Sequence, residues 1–350
     1  MTRISPPGDA RLADLKAWLT TDLRLEFSSV EPASADASFR RYFRLERAAG
    51  SLIVMDAPPG RENLQAYMQA SAMLLDIGVN VPRVLEHDRA RGFLLLTDLG
   101  TRLYLYELKT GRRVDPLYDD AFRALIHIQS RGGEHARKLP PYDRGRLDQE
   151  MQLLPDWFIT RHLGFDLDAG IRSMLRAAFD FLLDEVLAQP TVFVHRDYHS
   201  RNLMVCEGAN PGILDFQDAV CGAVAYDLVS LLRDLYVVWP PARVEAWVLA
   251  YRARAGAAGI DTGRSDAEFL RWFDLAGLQR HLKVLGIFAR LWHRDGKPAY
   301  LDDLPATLAY VLEASSRYRE LATLRDFLDR LARPRLAAAT ARAKGVAVPT

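Results

Sequence analysis

His195-Arg196-Asp197-Tyr198-His199-Ser200-Arg201-Asn202 is followed, after a short interval, by the apolar run Gly212-Ile213-Leu214 and then by Asp215-Phe216-Gln217-Asp218. Moving a phosphoryl group needs a carboxylate beside the attacking hydroxyl, an amide oxygen and a second carboxylate on magnesium, and a turn that fixes all three. Asp197, Asn202 and Asp215 supply them in that order. A lone Asp in a loop is ordinarily a turn former or a helix cap. What gives these residues chemical meaning is their joint order and their frame. Thr191-Val192-Phe193-Val194 precedes the loop, and Leu203-Met204-Val205 and Ile213-Leu214 flank a turn containing Gly208, Asn210, Pro211 and Gly212. Short strands at these places would present the loop.

Working outward, the segment before this loop changes character near Gly100. Leu12, Leu15, Trp18, Leu19 and Leu23 recur at helical spacing, which predicts an amphipathic helix from about Asp9 to Leu23. Strand character follows around 27–31, 39–45 and 52–55, with Ala48-Ala49-Gly50-Ser51 as a hairpin signal. After Pro58-Pro59-Gly60, the residues Leu64, Tyr67, Met68, Ala72, Leu75 and Ile77 mark a helix closed by Gly78. Two more strands, near 84–86 and 93–96, run into Thr97-Asp98-Leu99-Gly100, read as a hinge. Beyond it the pattern is helical: 118–129, 149–161, 171–187, 224–238, 243–254, 266–292 and 305–331. The expected fold is therefore α+β and bilobal: an N-terminal nucleotide-binding lobe built on an antiparallel sheet (1–98), a larger helical catalytic and substrate lobe (99–333), and an Ala-rich tail (334–350) expected to fray.

Composition agrees with two lobes, since 350 residues at 49% apolar content exceed one small core. Lys plus Arg number 46 against 45 Asp plus Glu, so charge gives no reason to expect a nucleic-acid or anionic-membrane partner. Any bound anion must be held locally. Cys206 and Cys221 fit no zinc spacing and read as reduced, buried thiols. The first nine residues lack a basic segment followed by an apolar core, and no apolar run approaches about 18 residues. The expectation is a cytoplasmic protein.

The chemistry assigns roles. Asp197 accepts or orients the proton of the substrate hydroxyl. Asn202 and Asp215 offer oxygens suited to a hard cation such as magnesium. Asp218 is a candidate to support the metal shell, and Asp227 to cap or anchor a helix. His195 reads as scaffold, while His199 faces either substrate or packing. A nucleotide also needs its phosphates cradled. Ser34-Ala35-Asp36-Ala37-Ser38-Phe39 lies between the first two predicted strands, and Ser34, Asp36, Ser38 and Phe39 are the candidates there.

This layout resembles the aminoglycoside phosphotransferase and choline kinase superfamily, whose loop usually reads His-Gly-Asp, four residues and Asn, then Ile-Asp-Phe or Ile-Asp-Trp. The counterparts are His195-Arg196-Asp197, Asn202 and Leu214-Asp215-Phe216, and the resemblance spans about 9–331. Within the superfamily, Ser34 to Phe43, Ile53 to Pro59 and Arg280 to Phe288 are similar to the bacterial anomeric kinases of N-acetylmuramate and N-acetylglucosamine. The resemblance implies a protein-kinase-like fold and transfer of the ATP γ-phosphoryl group, with magnesium, to the C1 hydroxyl of an amino sugar. It also implies coupling to a sugar-1-phosphate uridylyltransferase in peptidoglycan recycling. The alternatives are an aminoglycoside or choline-like acceptor, a protein kinase and a pseudokinase docking module. No Ala-Pro-Glu triplet follows Asp215, which disfavours a protein kinase, and retention of Asp197, Asn202 and Asp215 disfavours the pseudokinase.

The chain departs from the superfamily where the third strand should carry a phosphate-contacting Lys: Met55 stands there. Alternation puts Arg41 on one face of its strand and Arg40 and Arg44 on the other. Arg41 or Arg44 is expected to meet the phosphates, the remaining arginines being solvated. On the long helix, Gln279 and Lys283 share a face, and Arg280 or Lys283 is expected near the substrate, where a cation would suit a lactyl carboxylate.

Overall fold

Alternating apolar residues build the sheet. The computed structural model describes residues 9–35 and 39–345. The chain divides into two compact units, Met1–Arg102 with Met204–Asp218, and Leu103–Leu203 with Ala219–Thr350. In the first, strands β1 (Ser29–Ala35), β2 (Arg41–Arg47), β3 (Gly50–Asp56), β4 (Val84–Asp88) and β5 (Phe93–Thr97) form one sheet in the order β1-β2-β3-β5-β4. Every neighbouring pair is antiparallel. The β2–β3 hairpin closes between Arg47 and Gly50, whose φ of +100° is open to glycine at no steric cost. Residues of one parity, Phe43, Leu45, Leu52, Val54, Phe93 and Leu95, are buried with Leu15, Trp18 and Leu19. Those last three come from helix α1 (Ala10–Ala17) and the π-helical turn after it, Trp18–Asp22. Asp9 caps α1, its Oδ1 accepting from the Leu12 amide at 3.1 Å.

Helix α2 (Leu64–Ile77) stops at Gly78, φ +92°, as the sequence signals require, and starts at an Asn63 cap that they did not include. The segment 204–218 also belongs to this unit, rather than to the helical part where the sequence reading put it. The Ile213 amide donates to the Asn80 carbonyl at 2.8 Å, and a Cβ at Gly212 would lie 2.8 Å from Cys206 Sγ and 2.9 Å from Leu99 Cδ1. Only a glycine lets the strand seat so closely.

The second unit is helical: α3 (Tyr104–Lys109), α4 (Val114–Arg131), α5 (Gly133–Ala136), α6 (Arg144–Met151), a π-helical stretch Leu154–His162, α7 (Ala169–Leu187), α8 (Tyr226–Leu232), α9 (Pro241–Ala257), α10 (Asp266–His293), α11 (Leu304–Ser315), α12 (Ala322–Phe327) and α13 (Arg333–Ala343). A ribbon of β6 (Thr191–Val194) and β9 (Val220–Ala223) is antiparallel; two short strands, β7 (Leu203–Met204) and β8 (Gly212–Ile213), pair with each other, β8 lying in the 204–218 segment of the sheet unit. Helix α10 is buried along most of its length.

Several boundaries differ from expectation. The helix expected over 224–238 is confined to α8, because the Asp234 carboxylate takes the Ser200 and Tyr236 amides at 3.0 Å each and bends the chain away. The helix expected over 305–331 breaks after Ser315. The tail expected to fray from Pro334 instead forms α13 through Ala343, with Leu336 and Ala339 buried. Both cysteines are free, as expected, but half-buried. No helix among the described residues is long and apolar enough to cross a membrane.

Candidate active site

In the helical unit, the loop 195–202 is fixed by one buried carboxylate. Asp227, in the first turn of α8, accepts from the His195 amide at 2.6 Å and the Arg196 amide at 2.9 Å. Burial pushes its carboxyl up to about 7, against the pull of those two amides. The helix-anchoring role expected of Asp227 is thus a loop-anchoring one. Ser230 Oγ donates to the Arg196 carbonyl at 3.1 Å, and Tyr198 OH to the Ala121 carbonyl at 2.9 Å. His195 is buried, accepting from the Asp197 amide at 3.3 Å, which is the scaffold role read from sequence.

Arg196 occupies the position where the superfamily loop usually has Gly, and its φ is +77°. A side chain there carries a conformational cost. The cost is offset by the guanidinium's own contacts: Nη2 lies 2.5 Å from Glu150 Oε1, and the cation sits 5.3 Å from the Tyr142 ring centre. Glu150 also holds Lys283, whose Nζ is 3.0 Å from the same oxygen. Tyr142 OH donates to the other Glu150 oxygen, and the Tyr142 and Tyr226 hydroxyls lie 3.3 and 3.5 Å from Lys283 Nζ. Sequence reading missed Glu150, Tyr142 and Tyr226. Glu150 is one acid in an amphipathic helix, with nothing local to mark it.

Asp197 is half-buried within this network. Burial pushes its carboxyl up, but His199, Lys283, Arg196 and Arg280 together pull harder and hold it below the usual carboxylate range. Burial pushes His199 the opposite way, below its ordinary value, so it is neutral at neutral pH. The His199 ring meets Tyr236 edge-on at 5.7 Å. Asn202 Nδ2 donates to the Asp197 carbonyl at 2.9 Å, and the Asn202 amide to the His199 carbonyl at 2.8 Å. Arg280 and Lys283 are both buried in α10, and both act on Asp197.

In the sheet unit, Asp215 has a φ of +62°, a strained geometry for a non-glycine residue. Its Oδ1 accepts from Gln217 Nε2 at 2.9 Å and from Arg40 Nη2 at 3.0 Å. Arg40 is not solvated as expected: it is 8% exposed, and its Nε lies 3.8 Å from Glu62 Oε2. The Tyr67 ring packs on Phe216 at 4.9 Å. Burial raises the Tyr67 phenol well above its ordinary value, Tyr42 adding to the rise and Arg40 opposing it. Asp218 is exposed and takes a Gln217 contact at 3.2 Å.

Arg41 and Arg44 have carboxylates of their own. Arg41 binds Asp56 through Nε at 2.9 Å and also pairs with Asp9; Arg11 joins the same Asp56. Arg44 Nε lies 2.6 Å from Asp98, and Nη2 donates to the Gly100 carbonyl at 2.8 Å. Of the phosphate-loop candidates, Asp36 and Ser38 lie outside the described residues, and the Ser34 backbone pairs with Tyr42 in the sheet. The Phe39 amide donates to Glu62 Oε1 at 3.0 Å, and its exposed ring lies 4.7 Å from the Arg61 cation.

Comparison with known proteins places this geometry. A model of the phosphotransferase enzyme family matches residues 29–273. The chain is 46% identical over 333 residues to an N-acetylmuramate/N-acetylglucosamine kinase of Pseudomonas aeruginosa, covering 92% of this chain and 97% of that one. It is 42% identical to a kinase of the same description from Neisseria meningitidis, over 92% of this chain and 96% of the relative. Among solved structures, a choline kinase from Streptococcus pneumoniae aligns with a TM-score of 0.62 at 14% identity, covering 86% of this chain and 99% of that chain. An ADP-bound aminoglycoside phosphotransferase aligns with a TM-score of 0.58 at 13% identity, covering 86% and 98%.

Proposed function

The chain belongs to the phosphotransferase enzyme family, and from that premise we propose that it transfers the γ-phosphoryl group of ATP to the anomeric C1 hydroxyl of N-acetylmuramate and N-acetylglucosamine. One observation carries the acceptor class: the cations around Asp197 are Lys283, Arg196 and Arg280. Such surroundings suit a neutral or anionic acceptor and repel a polycationic drug or a choline-like amine. The names of the relatives at 46% and 42% identity support the same acceptors.

In this reading Asp197 accepts the proton of the C1 hydroxyl as that oxygen attacks phosphorus, and Arg196 and Lys283, fixed by Glu150, keep the carboxylate ionised. Asn202 and Asp215 are the residues that would each offer an oxygen to magnesium. Asn202 is held in the loop by its NH₂ group, which donates to the Asp197 carbonyl. No group of three or more His, Cys, Asp or Glu side chains able to hold a metal occurs among the described residues; an ion bound mainly through nucleotide phosphates and water needs only one or two protein oxygens, so this donor set fits. Bound magnesium would neutralise charge on the phosphate oxygens. The product, a sugar 1-phosphate, is the substrate class of a uridylyltransferase, and the reading extends to a place in cytoplasmic peptidoglycan recycling. Phosphorus NMR of the purified protein with ATP, magnesium and N-acetylmuramate tests this: a sugar 1-phosphate resonance is expected, and its absence refutes the assignment.

The phosphate-contacting cation is Arg40 rather than Arg41 or Arg44, whose guanidinium groups are held by Asp56 and Asp98. Arg40 Nη2 lies 3.0 Å from Asp215, the residue proposed to bind magnesium, so its cation would stand beside the phosphates that the ion neutralises, with Glu62 3.8 Å from its Nε. Arg40→Ala should weaken ADP binding in calorimetry roughly ten- to hundredfold, whereas Arg41→Ala and Arg44→Ala should lower thermal stability and leave the ADP Kd within about twofold. Equal ADP affinity in Arg40→Ala and the parent would remove Arg40 from the nucleotide site.

A further inference from the structure

Helix α10 carries two neighbouring polar side chains with buried atoms that no described residue hydrogen-bonds. Gln279 is fully buried, yet neither its Nε2 nor its Oε1 has a hydrogen-bond partner among the described residues. Arg280 is 6% exposed, its Nη1 is likewise unpartnered, and it forms no ion pair among the described residues. Leaving such groups unsatisfied is costly, so native proteins rarely tolerate it without a reason. Lys283 is different, because Glu150 and two tyrosine hydroxyls hold its ammonium.

Helical geometry says where the two unused groups point. At about 100° per residue, Gln279, Lys283 and Arg280 leave α10 within roughly a 100° arc, with Lys283 in the middle. Lys283, in the middle of the arc, reaches Glu150 Oε1 at 3.0 Å, the same oxygen that holds Arg196 of the loop, so this arc faces the loop carrying Asp197. His281 leaves on the opposite side, where its Nε2 lies 3.2 Å from the Arg233 carbonyl and its ring stacks on Tyr310 at 5.0 Å.

We infer that Gln279 and Arg280 form the acceptor-recognition subsite, Gln279 reading the acetamido group and Arg280 the lactyl carboxylate. A primary amide presents one acceptor and a donor pair, the complement of an acetamido group with its N–H and C=O. A guanidinium is the fork that grips a carboxylate. On the sugar, the acetamido group is on C2 and the lactyl ether on C3, adjacent as the two residues are adjacent. Gripping C2 also sets the C1 hydroxyl next to it, where Asp197 must receive a proton. N-acetylglucosamine uses Gln279 alone, and N-acetylmuramate uses both residues. Lys283, spent on Glu150, tunes Asp197 and does not read the carboxylate. The inference rests on the amino-sugar reading above.

The test is steady-state kinetics on both sugars for the parent, Gln279→Leu and Arg280→Gln, with calorimetric binding of each sugar and thermal melting alongside. Gln279→Leu should raise the KM for both sugars roughly ten- to hundredfold and leave the KM for ATP unchanged. Its melting temperature should hold or rise, because a buried unpaired amide has been replaced by an apolar group of similar size. Arg280→Gln should raise the KM for N-acetylmuramate by a comparable factor, leave that for N-acetylglucosamine within about twofold, and be partly rescued by Arg280→Lys. Unchanged sugar KM values and sugar Kd values in Gln279→Leu, or equal losses on both sugars in Arg280→Gln, would overturn the inference. A parent protein that binds both sugars with these dependences yet transfers no phosphate would instead sink the kinase reading and leave the subsite standing.

Discussion

Asp197→Asn should lower kcat by about a thousandfold on either sugar while leaving the KM for ATP and the thermal midpoint close to those of the parent. The substitution keeps the shape of the side chain and its place in a loop anchored by Asp227, Ser230 and Ala121. What it removes is the negative oxygen that receives the hydroxyl proton. The parent's pH profile carries the same argument. Against burial, His199, Lys283, Arg196 and Arg280 together hold the Asp197 carboxyl below the usual value of about 3.8, so the base is already ionised at every pH above that range. The rate should therefore not fall on the acid side between pH 7 and about 5 through protonation of Asp197. Lys283→Met removes one of these cations and should move the acid limb upward. A kcat within tenfold of the parent in Asp197→Asn, measured by coupled ADP release, would exclude Asp197 as the base.

The second large effect is on stability. Gly286→Ala should cost about 3 kcal/mol or more, read from urea denaturation, although alanine is intrinsically the better helix residue by about 1 kcal/mol. Gly286 lies within α10, and a Cβ there would fall 2.3 and 2.4 Å from the Leu153 carbonyl carbon and oxygen. Those are main-chain atoms leading into the π-helical stretch Leu154–His162, so no side chain can swing aside and a helix must move. Since α10 also carries Gln279, Arg280 and Lys283, any protein that still folds should show a raised sugar KM. Gly133→Ala is the control: a Cβ there meets nothing within 4 Å, and its stability should match the parent's or exceed it.

Local signals proved readable where the physics is local. Helix α2 was legible because its apolar residues recur at helical spacing and Gly78 stops it within one turn, and β2 and β3 because alternation sorts Phe43, Leu45, Leu52 and Val54 onto one face. Strand β9 was not, since Val220-Cys221-Gly222-Ala223 carries little strand propensity and is held by pairing with β6, some thirty residues upstream. The end of α8 was missed for a related reason: Asp234 competes with the helix by binding the Ser200 amide, a partner that periodicity within 224–238 does not reveal.

The candidate site divides along the same line. By itself the sequence determined the order Asp197, Asn202, Asp215, the antiparallel sheet and the helical remainder, because spacing, alternation and turn chemistry are written in neighbouring residues. Tertiary structure alone decided that Asp227 clamps the loop, that Glu150 occupies Lys283 and Arg196, that Arg41 and Arg44 are consumed by Asp56 and Asp98 while Arg40 lies on Asp215, and that Gln279 is buried with nothing to bind. Which charge meets which carboxylate depends on distances of a few ångströms between residues far apart in the chain, and Coulomb and hydrogen-bond energies are settled at that range.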